Sequence, residues 1–267
     1  MTINVKREGA IWTVQINRPE ARNAVNPETA TLLFETFHEF EENSEAVVAI
    51  FTGNETAFCA GFDLKAAAEG MNVDWMRKHD IPEDWSDPKT QRLPGPMGPS
   101  RLQLSKPVIA AIEGPAVAGG MELALWSDIR IASRSAFFGI YCRRWGVPLI
   151  DGGTVRLPGV VGQGVATDLV LTGRKVEAEE ALQIGLVNRL CEPGNAYEAA
   201  REYAENLLRF PRGCMLSDFS SVRPSGGTLA QALKREWESA GLILGEGAAG
   251  ASRFASGKGR GGNFGDI

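Results

Sequence analysis

Two glycine-containing turns are the places in this 267-residue chain where the residue types first point to chemistry. One lies in FCAGFDLKAA (58–67), and the other is the Gly119-Gly120 pair before MELALW. Each follows an apolar run typical of a β-strand, 47–53 or 108–114. Glycine lets a ligand come close to backbone N–H groups, and the first N–H groups of a helix have no intrahelical partner. The pattern predicts a donor site for negative charge, although tight packing also explains a glycine pair.

Carboxylates near these turns are the candidate catalytic side chains. If the turns face each other, the N–H groups of Ala60 and Gly119 converge as an oxyanion hole, in which each donor contributes about 3–4 kcal/mol. Glu122 follows Gly119 by three residues. One helical turn would bring its carboxylate to the same point as a general acid–base group. Asp151, just before Gly152-Gly153, is a second candidate acid, or a turn aspartate that caps the next helix.

Composition argues against several other classes of function. With only two histidines, His38 and His79, the chain is a poor candidate for a Ser-His-Asp triad or a His-rich metal site. A net charge of −5 without a basic stripe argues against nucleic acid. The four cysteines form no C-x-x-C pair, and no signal-like or membrane-spanning apolar run is present. We therefore expect a cytoplasmic protein that spans no membrane.

The coarse element pattern predicts an α/β core followed by helices. Asn26 and Pro27 begin a helix whose Leu33, Phe37 and Phe40 share one face. We expect no regular element over 66–101. This segment is a candidate pocket wall, through Trp75, Met76 or Trp85. Strands are predicted at 11–17, 47–53, 108–114 and 128–133, and further helices at 178–185, 196–210 and 228–244. The domain prediction is an α/β core over 1–195 and a helical region over 196–267.

Four motifs in this order resemble the crotonase family, the enoyl-CoA hydratase/isomerase superfamily. They are AFCAGFDLK, GPAVAGGMELALWSDIRIAS, GGTVRLPGVVG and TGRKVEAEEALQIGLVNRL. The resemblance implies a crotonase-like α/β spiral of repeated β-β-α units, with a C-terminal α-helical region that mediates trimer formation. Trimers of the family often pair into hexamers. It also implies an acyl-CoA thioester ligand whose thioester oxygen is held by the Ala60 and Gly119 amides, enolate chemistry, and no metal or cofactor beyond the CoA of the substrate.

The resemblance further implies which residues bind the substrate. The adenosine diphosphate part of CoA would lie along NRPEARNAVN (17–26) and the turn after Gly61. Arg18, Arg22 and Lys65 are the cations nearby, each equally readable as a solvated surface charge. The full set of implied substrate contacts is Arg22, Ala24, Ala60, Asp63, Leu64, Lys65, Gly119 and Cys142.

The chain departs from the family's hydratases at their second glutamate. Ungapped alignment of FGIYCRRWGVPLIDGGTVRL (138–157) puts Cys142 at that position. A thiol with a pKa near ~8.5 is a poor substitute for a carboxylate, so Cys142 reads more simply as a buried small residue. Asp151, nine residues on, is the acid that would take over as base, nucleophile or water-orienting group. Arg143 and Arg144 either recognise an acyl carboxylate or lie on the surface.

Three classes of function remain open at this point. The favoured hypothesis is an enoyl-CoA hydratase, with double-bond isomerisation or other enolate chemistry as the nearest alternative. A CoA-thioester-binding protein with little catalysis is the alternative of another class. A serine peptidase of related fold is disfavoured, because neither His38 nor His79 lies beside the glycine turns in sequence.

Overall fold

The computed structural model describes residues 1–70, 72–209, 212–222, 230, 231, 234, 237, 241 and 244–258. The strands are β1 (Ile3–Glu8), β2 (Ile11–Ile16), β3 (Val48–Thr52), β4 (Val108–Ile112), β5 (Pro115–Val117), β6 (Ile129–Ser133), β7 (Phe137–Gly139), β8 (Val176–Glu177) and β9 (Arg189–Cys191). The helices are α1 (Pro27–Glu42), α2 (Leu64–Gly70), α3 (Val73–Lys78), α4 (Gly119–Trp126), α5 (Gly153–Val161), α6 (Gln163–Thr172), α7 (Ala178–Gln183), α8 (Ala196–Leu207), α9 (Arg212–Val222) and α10 (Glu246–Ala255).

Two sheets are built by successive turns of the chain. The large sheet has the order β1-β2-β3-β4-β6-β9, and only its β1–β2 hairpin is antiparallel. The small sheet has the order β5-β7-β8. The chain passes directly from β4 to β5, and again from β6 to β7, so each turn adds one strand to each sheet. This alternation is the repeated β-β-α arrangement that the crotonase resemblance implies.

The central strands are buried on both faces. All five residues of β3 and all five of β4 are buried, as expected for parallel strands covered by helices. On one face α8 contributes Ala196, Ala200 and Ala204, whose small side chains allow close packing. The predicted start of a helix at residue 196 is confirmed. The domain boundary after residue 195 stays a prediction.

Helix α1 begins as predicted. The side chain of Asn26 accepts the N–H of Thr29 at 2.9 Å, and Pro27 occupies the first helical position. Leu33, Phe37 and Phe40 are buried. Their burial fixes α1 against the large sheet and confirms the predicted apolar face.

The prediction of no regular element over 66–101 was wrong for its first part. Helices α2 and α3 occupy much of 64–78. Helix α3 begins because the Asn72 side chain accepts the N–H groups of Asp74 and Trp75, at 3.0 and 2.9 Å. Residues 93–98 are irregular, as predicted, but a short 3-10 helix (Pro99–Arg101) ends the segment. The predicted helix 228–244 lies mostly outside the described residues.

Within the described residues, no helix is long and apolar enough to cross a membrane.

Candidate active site

A cavity of about 940 Å³ lies where the two glycine turns meet. It is bounded by the loop that precedes α1, by α3, by the start of α4 and by residues 141–151. Phe254 of α10 also lines it. All the residues predicted to be catalytic or to bind the substrate line this cavity: Arg22, Ala24, Ala60, Asp63, Leu64, Lys65, Gly119, Glu122, Cys142 and Asp151. Of the candidate pocket-wall residues Trp75, Met76 and Trp85, only Trp75 lines it.

The second glycine turn presents the start of α4 to the cavity. Ala118, the N-cap residue, has φ 53° and ψ −128°, a backbone conformation that costs energy for any residue with a side chain. The N–H of Gly119 is the first of the helix and has no intrahelical acceptor. A Cβ on Gly119 would lie 2.8 Å from the sulfur of Met97. A side chain at this position would therefore require the end of the Met97 side chain to move.

The first glycine turn corrects the expectation for Ala60. The N–H of Ala60 donates to the carbonyl of Arg22 at 3.1 Å, so it is not available to a thioester oxygen. Phe62 forms a parallel bridge with Val25, in which the flanking Gly61 carbonyl and Asp63 N–H make the hydrogen bonds. In such a bridge the N–H of Phe62 itself points to the opposite side. Among the described residues it has no backbone acceptor.

The two turns are in direct contact. An ideal Cβ on Gly61 would lie 2.9 Å from the Cβ of Ala118 and 3.0 Å from the nitrogen of Gly119. Gly61 has φ 96°, a conformation that a residue with a side chain rarely adopts. The sequence pattern thus located a turn that borders the cavity, but the amide that it named, that of Ala60, already has a backbone acceptor.

Glu122 is held by the backbone at the start of α5. Its carboxyl group is buried in the cavity wall, with 4% of the residue exposed. Oε1 accepts the N–H groups of Asp151 and Gly153, each at 2.9 Å. A Cβ on Gly153 would come within 3.0 Å of the same oxygen. The backbone N–H groups of Asp151 and Gly153 therefore orient the carboxylate.

Asp151 is buried beside Glu122, but its carboxylate binds the proline-rich segment. Oδ1 accepts the N–H of Met97 at 3.0 Å and the hydroxyl of Ser100. The residue at the N-cap of α5 is Gly152. Burial raises the pKa of Asp151, although the hydrogen bonds from Ser100 and Met97 favour the ionised form. The sequence analysis missed Ser100 and Met97, because nothing local to 93–101 indicates a carboxylate partner.

The raised pKa of Asp151 predicts a pH-dependent stability. For a carboxyl group whose pKa is higher in the folded state, the stabilisation is complete below its unfolded pKa and is lost as pH rises through the folded value. Asp151→Asn keeps an acceptor for Met97 and Ser100 and removes the ionisation. We expect the Tm of the variant minus that of the natural chain to increase from pH 4 towards pH 8. A difference that is constant or decreases over this range would contradict the assignment.

Comparison with known proteins decides the family. The family model described as enoyl-CoA hydratase/isomerase matches residues 6–216. The chain belongs to this family. It is 36% identical to the enoyl-CoA hydratase EchA19 of Mycobacterium tuberculosis over 76% of this chain and 73% of that protein. It is 37% identical to the carnitinyl-CoA dehydratase of Salmonella typhi over 78% of this chain and 74% of that protein.

Solved structures show the same fold along nearly the whole chain. The crystal structure of carnitinyl-CoA hydratase from Mycobacterium avium superposes with a TM-score of 0.79 at 29% identity, covering 96% of both chains. An enoyl-CoA hydratase from Mycobacterium avium gives a TM-score of 0.74 at 31% identity, covering 92% of this chain and 99% of that one. The crotonase fold and a crotonase-type acyl-CoA enzyme, both predicted from the motifs, are confirmed.

Cys142 marks the departure of this chain from the hydratase pattern of the crotonase family. It lies in a short 3-10 helix (Tyr141–Trp145) and lines the cavity, with 8% of the residue exposed. Burial raises the pKa of the Cys142 thiol, and the nearby charge of Glu122 raises it further. The thiol is therefore protonated at neutral pH, and it is neither a thiolate nucleophile nor an acid–base group there.

Cys142→Ala is accordingly expected to change kcat by no more than about threefold, since a group that moves a proton contributes about 10²–10⁴-fold. The measurement is steady-state turnover of a 2-enoyl-CoA by both proteins at pH 7. A loss of a hundredfold would show that the thiol takes part in catalysis.

Some basic residues around the cavity are held by polar contacts within the protein, and others are exposed to solvent. The guanidinium of Arg18 binds Asp63 at 2.9 Å and the Ala24 carbonyl at 2.5 Å, so it joins the loop to the start of α2. Arg22 and Lys65 are exposed and line the cavity. On another wall, Arg144 stacks on Tyr141 at 3.5 Å. Asp63 therefore has a structural partner, which the sequence analysis did not predict.

Proposed function

We propose that this chain adds water across the C2–C3 double bond of a 2-enoyl-CoA thioester. The observation that carries the proposal is one shared cavity. It is lined by the turn that holds the Phe62 amide, by the first residue of α4, Gly119, and by the carboxylate of Glu122. Negative charge on a thioester oxygen and a proton transfer next to it are the two needs of this reaction.

In the proposed reaction the N–H groups of Phe62 and Gly119 bind the thioester oxygen. This pair replaces the expected pair of Ala60 and Gly119, because the Ala60 amide is bonded to the Arg22 carbonyl. The charge that develops on the oxygen in the enolate is stabilised by both donors, at about 3–4 kcal/mol each. The positive end of the α4 dipole adds to the effect.

Glu122 then moves the proton. As water attacks C3, the carboxylate takes a proton from it, and the same group delivers a proton to C2 of the enolate. The net change is the addition of one water molecule. The hydrogen bonds from Asp151 and Gly153 to Oε1 hold the carboxylate in one orientation throughout. Asp151 is proposed to support this geometry from the loop at 97–100 and not to replace the family's second glutamate.

The remaining proposals concern the CoA part of the ligand, the cellular compartment and the oligomeric state. Exposed Arg22 and Lys65 at the cavity suit the phosphates of CoA, and the reaction needs no cofactor beyond that CoA. We also propose a cytoplasmic homotrimer, or a dimer of trimers. Buried, free Cys59 and Cys142 fit a reducing compartment.

Double-bond isomerisation is the second candidate. Cys142 stands where the hydratases of the family carry a second glutamate, and its protonated thiol cannot share the work of Glu122. One carboxylate is enough to carry a proton between two carbons of an enoyl chain. This single difference favours the isomerase alternative over the other enolate reactions.

Incubation with a 2-enoyl-CoA in water labelled with heavy oxygen separates the candidates. Hydration gives a product heavier by one labelled water molecule, with the label at C3. Isomerisation changes the position of the double bond without a change of mass. Micromolar binding of the thioester with no product at all would reject both reactions and favour a binding protein.

A further inference from the structure

One wall of the cavity is an aromatic corner. The rings of Phe62 and Trp75 both line the cavity, with centroids 5.9 Å apart and planes at 72°. A planar group placed in such a corner can stack on one ring while it presents its edge to the other, and both arrangements are favourable for aromatic pairs. The corner begins at Phe62, the residue proposed to bind the thioester oxygen through its N–H.

Two neighbouring aromatic rings hold the Trp75 side chain in place. The ring of His79 stacks on it with centroids 4.4 Å apart, and His79 Nδ1 donates to the Trp75 carbonyl at 2.8 Å. The Trp237 ring packs against both, with its centroid 6.3 Å from that of Trp75 and 6.4 Å from that of His79, and its indole N–H donates to Asp80 at 3.0 Å. Burial lowers the pKa of His79, so the stack is neutral at pH 7. Contacts on several sides leave Trp75 little freedom to rotate.

The surroundings of the corner disfavour a charged acyl group. Trp75 and Val147 pack against the same hydrophobic cluster, which contains Ile150, and all three line the cavity. Behind them the guanidinium of Arg101 lies 4.6 Å from the Trp237 ring and does not line the cavity. A terminal carboxylate would be buried without a partner on this apolar wall. A terminal ammonium would likewise be buried there without a hydrogen-bond partner among Trp75, Val147 and Ile150.

We propose that Trp75 determines acyl-group specificity, and that the substrate carries an uncharged planar ring at or next to C3 of the 2-enoyl-CoA thioester. The position follows from Phe62, which offers both the amide for the thioester oxygen and one face of the corner. A ring attached near C3 is close enough to the thioester oxygen to contact the side chain of Phe62, whose N–H binds that oxygen. This inference rests on the proposed function, since the amide of Phe62 sets the position of the acyl chain.

Binding of saturated thioesters tests the inference without turnover. The ligands are 3-phenylpropanoyl-CoA and butanoyl-CoA, titrated by calorimetry into the natural chain, Trp75→Leu and Met76→Ala. Met76 packs against the same cluster as Trp75 but does not line the cavity, so its variant is the matched control. We expect the natural chain and Met76→Ala to bind the phenyl ligand at least about tenfold more tightly than butanoyl-CoA. Trp75→Leu should reduce this ratio to about threefold or less.

Three results would overturn the inference: no preference in the natural chain, an unchanged ratio in Trp75→Leu, or an equal loss in Met76→Ala. Thermal melts show whether each variant is folded, and Trp75→Phe, which retains a ring, is a second test if Trp75→Leu does not fold. Trp75→Phe should keep at least half of the logarithm of the affinity ratio between the phenyl ligand and butanoyl-CoA. If the binding ratios are as expected but a 2-enoyl-CoA gives no hydration product, the proposed function is rejected and the role of Trp75 in acyl-group binding is retained.

Discussion

Replacing Glu122 by glutamine is expected to lower kcat for a 2-enoyl-CoA by at least about 10²-fold, the typical contribution of a general acid–base group. Glutamine retains an oxygen that can accept the N–H groups of Asp151 and Gly153, which now bond Oε1 at 2.9 Å. The local structure should therefore survive, and only the ability to take up and release a proton is lost. Steady-state kinetics and a thermal melt of the same preparation measure both effects.

Glu113 provides a matched control for this substitution. It is another buried glutamate, 8% exposed, and its Oε1 accepts a backbone N–H, that of Ala196, at 2.9 Å. Glu113 does not line the cavity. Glu113→Gln should leave kcat within about threefold of the natural value, well short of the loss of a proton-transfer group. Full activity of Glu122→Gln would remove Glu122 from the mechanism.

Gly120→Ala is expected to be the most damaging single-methyl change in the site. A Cβ at this position would lie 2.0 Å from the carbonyl oxygen of Cys59 and 2.7 Å from its carbon. Both atoms are backbone, so relief requires the two glycine turns to move apart. Overpacking of this kind costs roughly 3 kcal/mol of unfolding free energy. Because the Phe62 and Gly119 amides lie on the two displaced segments, kcat/KM should also fall by about 10²-fold or more.

A glycine in open space is the control for Gly120. Gly159 lies within α5, and a Cβ there would meet nothing within 4 Å. Gly159→Ala should raise the free energy of unfolding by about 0.4–1 kcal/mol, because alanine has less freedom in the unfolded chain. Urea unfolding and kcat/KM are measured for both variants. A Gly120→Ala protein with natural stability and activity would show that the turns are not in contact.

The sequence was sufficient to predict most of what is local or periodic. The apolar runs predicted β2, β3, β4 and β6, and the Asn26 cap predicted the start of α1. The three-residue spacing of Gly119 and Glu122 indicated one face of a helix start, and both residues line the cavity. These predictions hold because each depends on neighbours within one helical turn or on strand alternation.

The choice between Ala60 and Phe62 could not be made from the sequence. Both flank Gly61, and both lie just after the predicted strand 47–53. What separates them is the bridge of Phe62 to Val25 and the bond from Ala60 to the Arg22 carbonyl, contacts that join positions nearly forty residues apart. Tertiary pairing thus decides which amide is left without an acceptor.

Side chains that meet across long sequence separations were missed for the same reason. The Asp151 carboxylate accepts bonds from Met97 and Ser100, more than fifty residues earlier. The position of Trp75 depends on Trp237 as well as on its neighbour His79. No spacing rule connects these residues, so the second acid and the acyl pocket could be described only once the fold was known.

The infrared spectrum of a bound thioester tests the central claim most directly. The claim is that the Phe62 and Gly119 amides polarise the thioester carbonyl beside Glu122. Glu122→Gln, which should convert a bound 2-enoyl-CoA at least about 10²-fold more slowly, is mixed with a substrate that carries heavy carbon at C1. We predict that the labelled carbonyl stretch moves to lower frequency on binding. A bound carbonyl with the frequency it has in water would contradict the account.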